Sequence, residues 1–289
     1  MVSLTQMLAS NALISTSLPP NLVAVFLGGT SGIGESTLKA FVSHTIRPKV
    51  YLVGRSRISA DRIIEECRTL GPEDHIGESE IVFLQADLSL MKVVERVFTP
   101  EGLHKFLATA YYDRTLVMQH LTPLLINGAN SSSDGNLDMP ALKIPFSAIR
   151  GHMGTLVTLT LEASAATAEP NKISFIHGNP GLVRTPYQDK MQGAFGVFAR
   201  SLMWIKKITG TDIPLDESGE RHLFLLTSAR YAPGGVPIPD GDLAIGTDGL
   251  KGSGRARKVI STLGKYRKEG MVDKVWAHVQ GEYERIRRS

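Results

Sequence analysis

Four glycines within seven residues, in Gly28-Gly29-Thr30-Ser31-Gly32-Ile33-Gly34, form the stretch of this 289-residue sequence best suited to chemistry. Glycine has no Cβ, so a corner built from several of them turns sharply and lets backbone N–H groups approach a ligand. Where a helix starts at the end of such a corner, its unpaired amides and the positive end of its dipole favour a pyrophosphate. A turn that merely joined two elements would use one glycine rather than four, so the cluster predicts a nucleotide site. Further on, Val53-Gly54-Arg55-Ser56-Arg57 offers a planar guanidinium fork and a hydroxyl, both suited to a phosphate. A fold selective for NAD usually carries an acid here, accepting from the ribose hydroxyls and repelling a 2′-phosphate. With Arg55 and Ser56 in its place the expected cofactor is NADP(H); the alternative is that Arg55 is an ordinary solvated loop residue.

The elements around these residues support that reading. Asn21 to Leu27 is an apolar run too short for a typical helix, which suits a buried parallel strand ending at the glycines. Leu38, Phe41 and Val42 then predict a helix over 34–43. Further strands are expected at 50–53 and 81–84, with a helix at about 60–69 between them. Strand, helix, strand, helix, strand predicts parallel crossovers, hence an α/β, doubly wound parallel sheet of Rossmann type. Helices are also expected over 103–125, 146–168, 194–208, 217–229 and 270–287, with a strand at 172–177. A loop fits 127–138, and 234–254 reads as a long connection rich in glycine and proline. Length and a 42% hydrophobic composition are compatible with one domain over residues 1–289.

With Leu27 where threonine is usual, the corner matches the Thr-Gly-x-x-x-Gly-x-Gly loop of the short-chain dehydrogenases/reductases, which the sequence resembles over most of its length. Ala86-Asp87-Leu88 and Asn179-Pro180-Gly181-Leu182-Val183-Arg184-Thr185-Pro186 extend the likeness. Lys268 to Trp276 is similar to the fungal members associated with secondary metabolism. The resemblance implies an oxidoreductase that reduces a ketone or oxidises an alcohol on an apolar small molecule. Gly28, Thr30, Ser31, Gly32, Ile33 and Gly34 would then hold the cofactor phosphates, Asp87 and Leu88 the adenine end, and Pro180, Val183 and Thr185 the nicotinamide end.

The same resemblance shows where the chain departs from the family. The usual members pair a Tyr acid/base with a Lys four residues on, along one helix face. Here that segment reads Phe146-Ser147-Ala148-Ile149-Arg150. Phenylalanine has no exchangeable proton, and Arg150 keeps the charge to bind ribose or phosphate but is a poor proton shuttle. Ala110 stands where a relay Asn is usual. Ser131, Ser132 and Ser133 precede Phe146 at about the distance of the serine that holds the substrate oxygen. Ser133 is the candidate for that role, the alternative being an ordinary serine-rich loop. Residues 90–106 leave no room for the expected fourth strand, so a central strand is expected to be absent or replaced. Tyr111, Tyr112, His152 and His177 are alternative proton donors, each equally readable as packing. The apolar run 194–205 either covers a substrate or packs as a buried helix or subunit contact.

Composition narrows the remaining classes. Thirty-two Lys and Arg against 28 Asp and Glu give a net charge of +4, and the basic runs at 255–258 and 285–288 read as solvated helix faces, so no nucleic-acid partner is expected. One cysteine, Cys67, falls in a helical pattern and fits a reducing compartment. No signal peptide and no membrane span are read, which predicts a cytoplasmic protein; no metal site is expected, and a homo-oligomer is left open. The competing reading is a non-redox relative, a cyclase, isomerase or inactive nucleotide binder, that has lost the Tyr/Lys pair.

Overall fold

The β-branched and aromatic runs at 23–27, 49–54 and 80–85 need ladder partners for their backbone groups, and they find each other. In a computed structural model they form β1 (Val23–Leu27), β2 (Lys49–Gly54) and β3 (Glu80–Gln85), a parallel sheet in the order β1-β2-β3. The model describes residues 2–86, 155, 157–163, 165, 166, 174–178, 180, 181, 183, 185, 186, 201, 213–231, 236, 237, 243, 244 and 262–288. Leu27 lies opposite Val53, Val53 opposite Leu84, and Gly54 opposite Gln85, so all three strands end along one edge. Two backbone bonds extend the ladders there, Gly28 N–H to the Val53 carbonyl at 3.0 Å and Ala86 N–H to the Gly54 carbonyl at 2.9 Å.

Two helices connect the strands: α3 (Gly32–His44) follows β1, and α4 (Arg57–Cys67) follows β2. Leu38, Phe41 and Val42 on α3, and Ala60, Ile63 and Cys67 on α4, meet Val50 and Leu52 of β2 in one core. Ser56 caps α4 by accepting from the Ser59 N–H at 3.2 Å. Burial pushes the Cys67 thiol up to about 11, so it is a packing residue and not a nucleophile. The fold class is therefore the expected α/β parallel sheet, with helix and strand ends moved by a few residues.

An unexpected pair of helices precedes the sheet, α1 (Leu4–Ala12) and α2 (Ile14–Ser17). Ser3 and Gln6 form a reciprocal capping box at the start of α1. α1 packs on α5 (Leu215–Thr227), where the fully buried Asn11 donates to the Glu220 carbonyl at 2.9 Å and to its carboxylate at 2.7 Å. The other carboxylate oxygen of Glu220 lies 3.2 Å from His44 Nε2, tying α3 into the same contact.

The chain divides into two compact units, Val2–Asp87 with Gly178–Ala229, and Leu88–His177 with Arg230–Ser289. In the second, residues 157–163 are helical and bury Val157, Leu159, Thr160 and Leu161. Arg267 clamps Glu162 there through Nη2 at 2.6 Å and Nε at 3.1 Å. α6 (Met271–Arg288) buries Val275 and Val279. The 234–254 connection contains a small antiparallel pair, β4 (Val236–Pro237) with β5 (Leu243–Ala244).

One expected strand is corrected. Ser174–His177 lie in no strand: the Ser174 hydroxyl donates to the Tyr231 carbonyl at 2.6 Å and His177 Nδ1 meets Thr158 Oγ1 at 2.9 Å. An apolar run becomes a strand only with a ladder beside it, and none of the described strands pairs with this segment. The expected helix at 103–125 and the question of a missing central strand lie outside the described residues, as does the 194–208 helix except for Ser201.

Candidate functional site

In an open α/β sheet the groups that meet a ligand gather where the strands end, and here three segments emerge at that edge. The first is the glycine corner. Gly28 is exposed with φ +80°, a conformation that a residue with a Cβ adopts at a cost, and the space beside it is open. Gly34 is required for a different reason. A Cβ there would lie 2.8 Å from the Gly28 carbonyl oxygen and 3.1 Å from Gly29 Cα, so its absence lets the first turn of α3 close onto the corner. Ser31 is extended and its side chain caps none of the α3 amides, which leaves the first turn of the helix available to an anion.

The second segment is the end of β2. A Cβ on Gly54 would lie 2.6 Å from Thr30 Cγ2, so Thr30 sits directly over this strand end and joins the corner to it. Arg55 and Ser56 follow, both exposed. The Ser56 hydroxyl is engaged as the α4 cap and also donates to Ser59 Oγ at 3.0 Å. Among the described residues the Arg55 guanidinium has no ion-pair partner. Arg57, by contrast, donates to Asp61 at 2.9 Å and lies over the Phe83 ring.

The third segment is 180–186. Val183 is buried and makes a parallel bridge with Ile213, and Thr185 packs on Gly32, where a Cβ would lie 3.4 Å from the Thr185 Cβ. Gly28, Thr30, Ser31, Gly32, Ile33, Gly34, Arg55 and Thr185 are thus brought to one edge, and the buried Val183 and then Pro180 precede Thr185 in the chain. Asp87, Leu88, Ser133 and Arg150 lie outside the described residues, as do Ala110, Phe146 and His152. Sequence reading passed over Gly54 as a packing partner of Thr30, although a glycine ending a buried strand beside a glycine corner signals a close approach.

Four charges hold the two corners in register. Glu35, in the first turn of α3, accepts from Lys39 at 2.7 Å and from both Arg62 amino groups at 2.9 Å; Glu66 accepts from Arg62 at 2.7 Å and also pairs with Lys39. This square ties α3 to α4, and so the glycine corner to Arg55. Burial alone would raise the Glu35 carboxyl, but the hydrogen bonds from Arg62 and Lys39 together outweigh it and hold the group below its ordinary 4.5. A carboxyl lowered by folding stabilises the fold above its unfolded value and loses that contribution as pH falls through the folded value. Glu35→Gln is therefore expected to cost on the order of 1 kcal/mol at pH 7, a charge-assisted bond discounted for the exposed side of the square. In urea titrations the difference from the wild type is expected to shrink as pH is lowered below the ordinary carboxylate range; a difference that does not change with pH would contradict this account of the square.

Among the described residues no group of His, Cys, Asp and Glu is placed to hold a metal, and no helix is long and apolar enough to cross a membrane. No protein-family model matches the chain. It is 31% identical to an oxidoreductase of Emericella nidulans, over 97% of each chain. It is 30% identical to a NmrA-like family domain-containing oxidoreductase of an Aspergillus species, over 97% of this chain and 94% of that one. A short-chain dehydrogenase/reductase of Stachybotrys chartarum is 25% identical over 74% of this chain and 75% of its own.

Proposed function

The chain belongs with the fungal oxidoreductases that it matches over 97% of its length, and from that premise we propose that it is a short-chain dehydrogenase/reductase that binds NADP(H) and reduces a ketone or oxidises an alcohol on an apolar small molecule. The observation that carries the proposal is an open glycine corner beside an exposed Arg55 that has no ion-pair partner among the described residues, at the adjacent strand end. The residues present fit the cofactor. Gly28 and the first turn of α3 offer unobstructed backbone to a pyrophosphate, Arg55 offers a fork to a 2′-phosphate, and Thr185 stands over Gly32 on the nicotinamide side. NADP(H), when bound, supplies or accepts the hydride.

The protein's own contribution is to orient the two ends and to handle one proton. Arg150 is assigned to the ribose and Ser133 to the substrate oxygen; Asp87, Leu88, Pro180 and Val183 complete the cofactor wall. Phe146 supplies no proton, so protonation falls to water or to another side chain. The likeness of Lys268 to Trp276 to the fungal members associated with secondary metabolism supports such a role, and the reading extends to a single cytoplasmic domain without a nucleic-acid partner.

A second reading, a non-redox relative that binds the dinucleotide without turnover, is favoured by Ala110, Phe146 and Arg150. Thermal stabilisation by NADPH, followed by NADPH consumption with a panel of apolar ketones, separates the two. Stabilisation with consumption is the expected result. Stabilisation without consumption across the panel selects the second reading, and no stabilisation overturns both.

A further inference from the structure

The start of α3 is fastened by more than its own turn. One turn beyond Gly32, the Ser36 hydroxyl donates to the Leu215 carbonyl at 2.7 Å, across to the first residue of α5. The two helices approach closely there, because Gly219 carries no side chain: a Cβ on it would meet the Ser36 hydroxyl and lie 2.7 Å from the Ser36 carbonyl oxygen. Two residues before Leu215, Ile213 forms the bridge to Val183, and two residues beyond Val183, Thr185 packs on Gly32. The contacts therefore close a ring, Gly32 to Ser36 along the helix, Ser36 to Leu215, Ile213 to Val183, and Thr185 back to Gly32. The ring encloses no catalytic group. Its effect is to fix the height of Thr185 above the phosphate corner.

We infer that Ser36 is a positioning residue for the dinucleotide, acting through Leu215, Ile213 and Val183 to set Thr185 over Gly32. The inference rests on the NADP(H) reading above. Without the hydroxyl, α5 loses its one polar tie to this turn of α3 among the described residues, and the Ile213–Val183 bridge is anchored less firmly to the corner. The end of the cofactor nearest Thr185 then loses affinity, whereas the adenine end at Arg55, on the other side of the corner, does not.

The test compares wild type, Ser36→Ala and Gly219→Ala as full chains in calorimetric titrations with NADPH and with adenosine 2′,5′-bisphosphate, which lacks the pyrophosphate and the nicotinamide. Loss of one hydrogen bond predicts a fivefold to tenfold weaker dissociation constant, roughly, for NADPH with Ser36→Ala. The bisphosphate is expected to bind within twofold of wild type. Gly219→Ala, whose added Cβ meets the Ser36 hydroxyl and backbone at the same point, is expected to reproduce that pattern. Ile63→Val, a core change on α4, lowers the melting temperature without producing it. Equal weakening for both probes, or no weakening of NADPH, overturns the inference while leaving the cofactor reading in place. Wild-type protein that binds neither probe overturns the cofactor reading and this inference together.

Discussion

Gly34→Ala is expected to weaken dinucleotide binding by on the order of 100-fold, as measured by calorimetric titration of the folded variant. The added Cβ meets backbone on both sides, the Gly28 carbonyl oxygen at 2.8 Å and Gly29 Cα at 3.1 Å, with no flexible side chain to yield. Relief requires the first turn of α3 to lift away from the corner. That movement misaims the amides a pyrophosphate needs, and hydrogen bonds to a charged group are worth about 1.5–3 kcal/mol each. Overpacking also lowers stability by about 1–3 kcal/mol. Gly28→Ala separates the two effects. Its Cβ enters open space, so stability falls only by the strain of φ +80°, about 1–2 kcal/mol, while the added methyl stands where a ligand must approach. A Gly34→Ala protein that folds and binds as the wild type does would remove the corner from the account.

Arg55→Ala is expected to weaken NADPH by about 10-fold to 100-fold and to leave NADH nearly unchanged, because only the former has a 2′-phosphate for the guanidinium to pair with. Arg55→Asp is expected to reverse the preference, since a carboxylate accepts from ribose hydroxyls and repels the phosphate. The neighbouring arginines provide the control. Arg57 is committed to Asp61 and the Phe83 ring, and Arg62 to Glu35 and Glu66, so Arg57→Ala should change both affinities alike. Loss of NADH and NADPH binding in equal measure for Arg55→Ala would assign Arg55 to the corner's general charge and not to cofactor choice.

The order β1-α3-β2-α4-β3 was legible because local pattern and tertiary need agree in this stretch. Val50, Leu52 and Val53 are apolar on both faces of a strand that is buried on both, and Ala60, Ile63 and Cys67 repeat at helical spacing toward it. The glycine corner was legible for the same reason, since each glycine answers a separate steric demand. α1 was not, although Ser3 and Gln6 carry the spacing of a capping box. Its stability rests on Asn11 reaching Glu220, a partner 209 residues away that no local window contains. The strand expected at 172–177 failed in the opposite sense over its described residues, 174–177. Its apolar run reads as a strand, but a strand is a property of two segments, and Ser174 is turned instead to the Tyr231 carbonyl. The Ser36 bond belongs with α1: nothing about a serine in a helix announces a carbonyl on a second helix. Arg55 was legible as a residue type, but only the structure separates it from Arg57 and Arg62, whose charges are already spent on neighbours.

Titration of the full wild-type chain with NADPH and, separately, NADH measures the central claim most directly. The account predicts binding of both, with NADPH at least about 10-fold tighter, the difference one charge-assisted phosphate contact supplies. Tighter binding of NADH would contradict the assignment of Arg55, and heat signals absent for both would contradict the site itself.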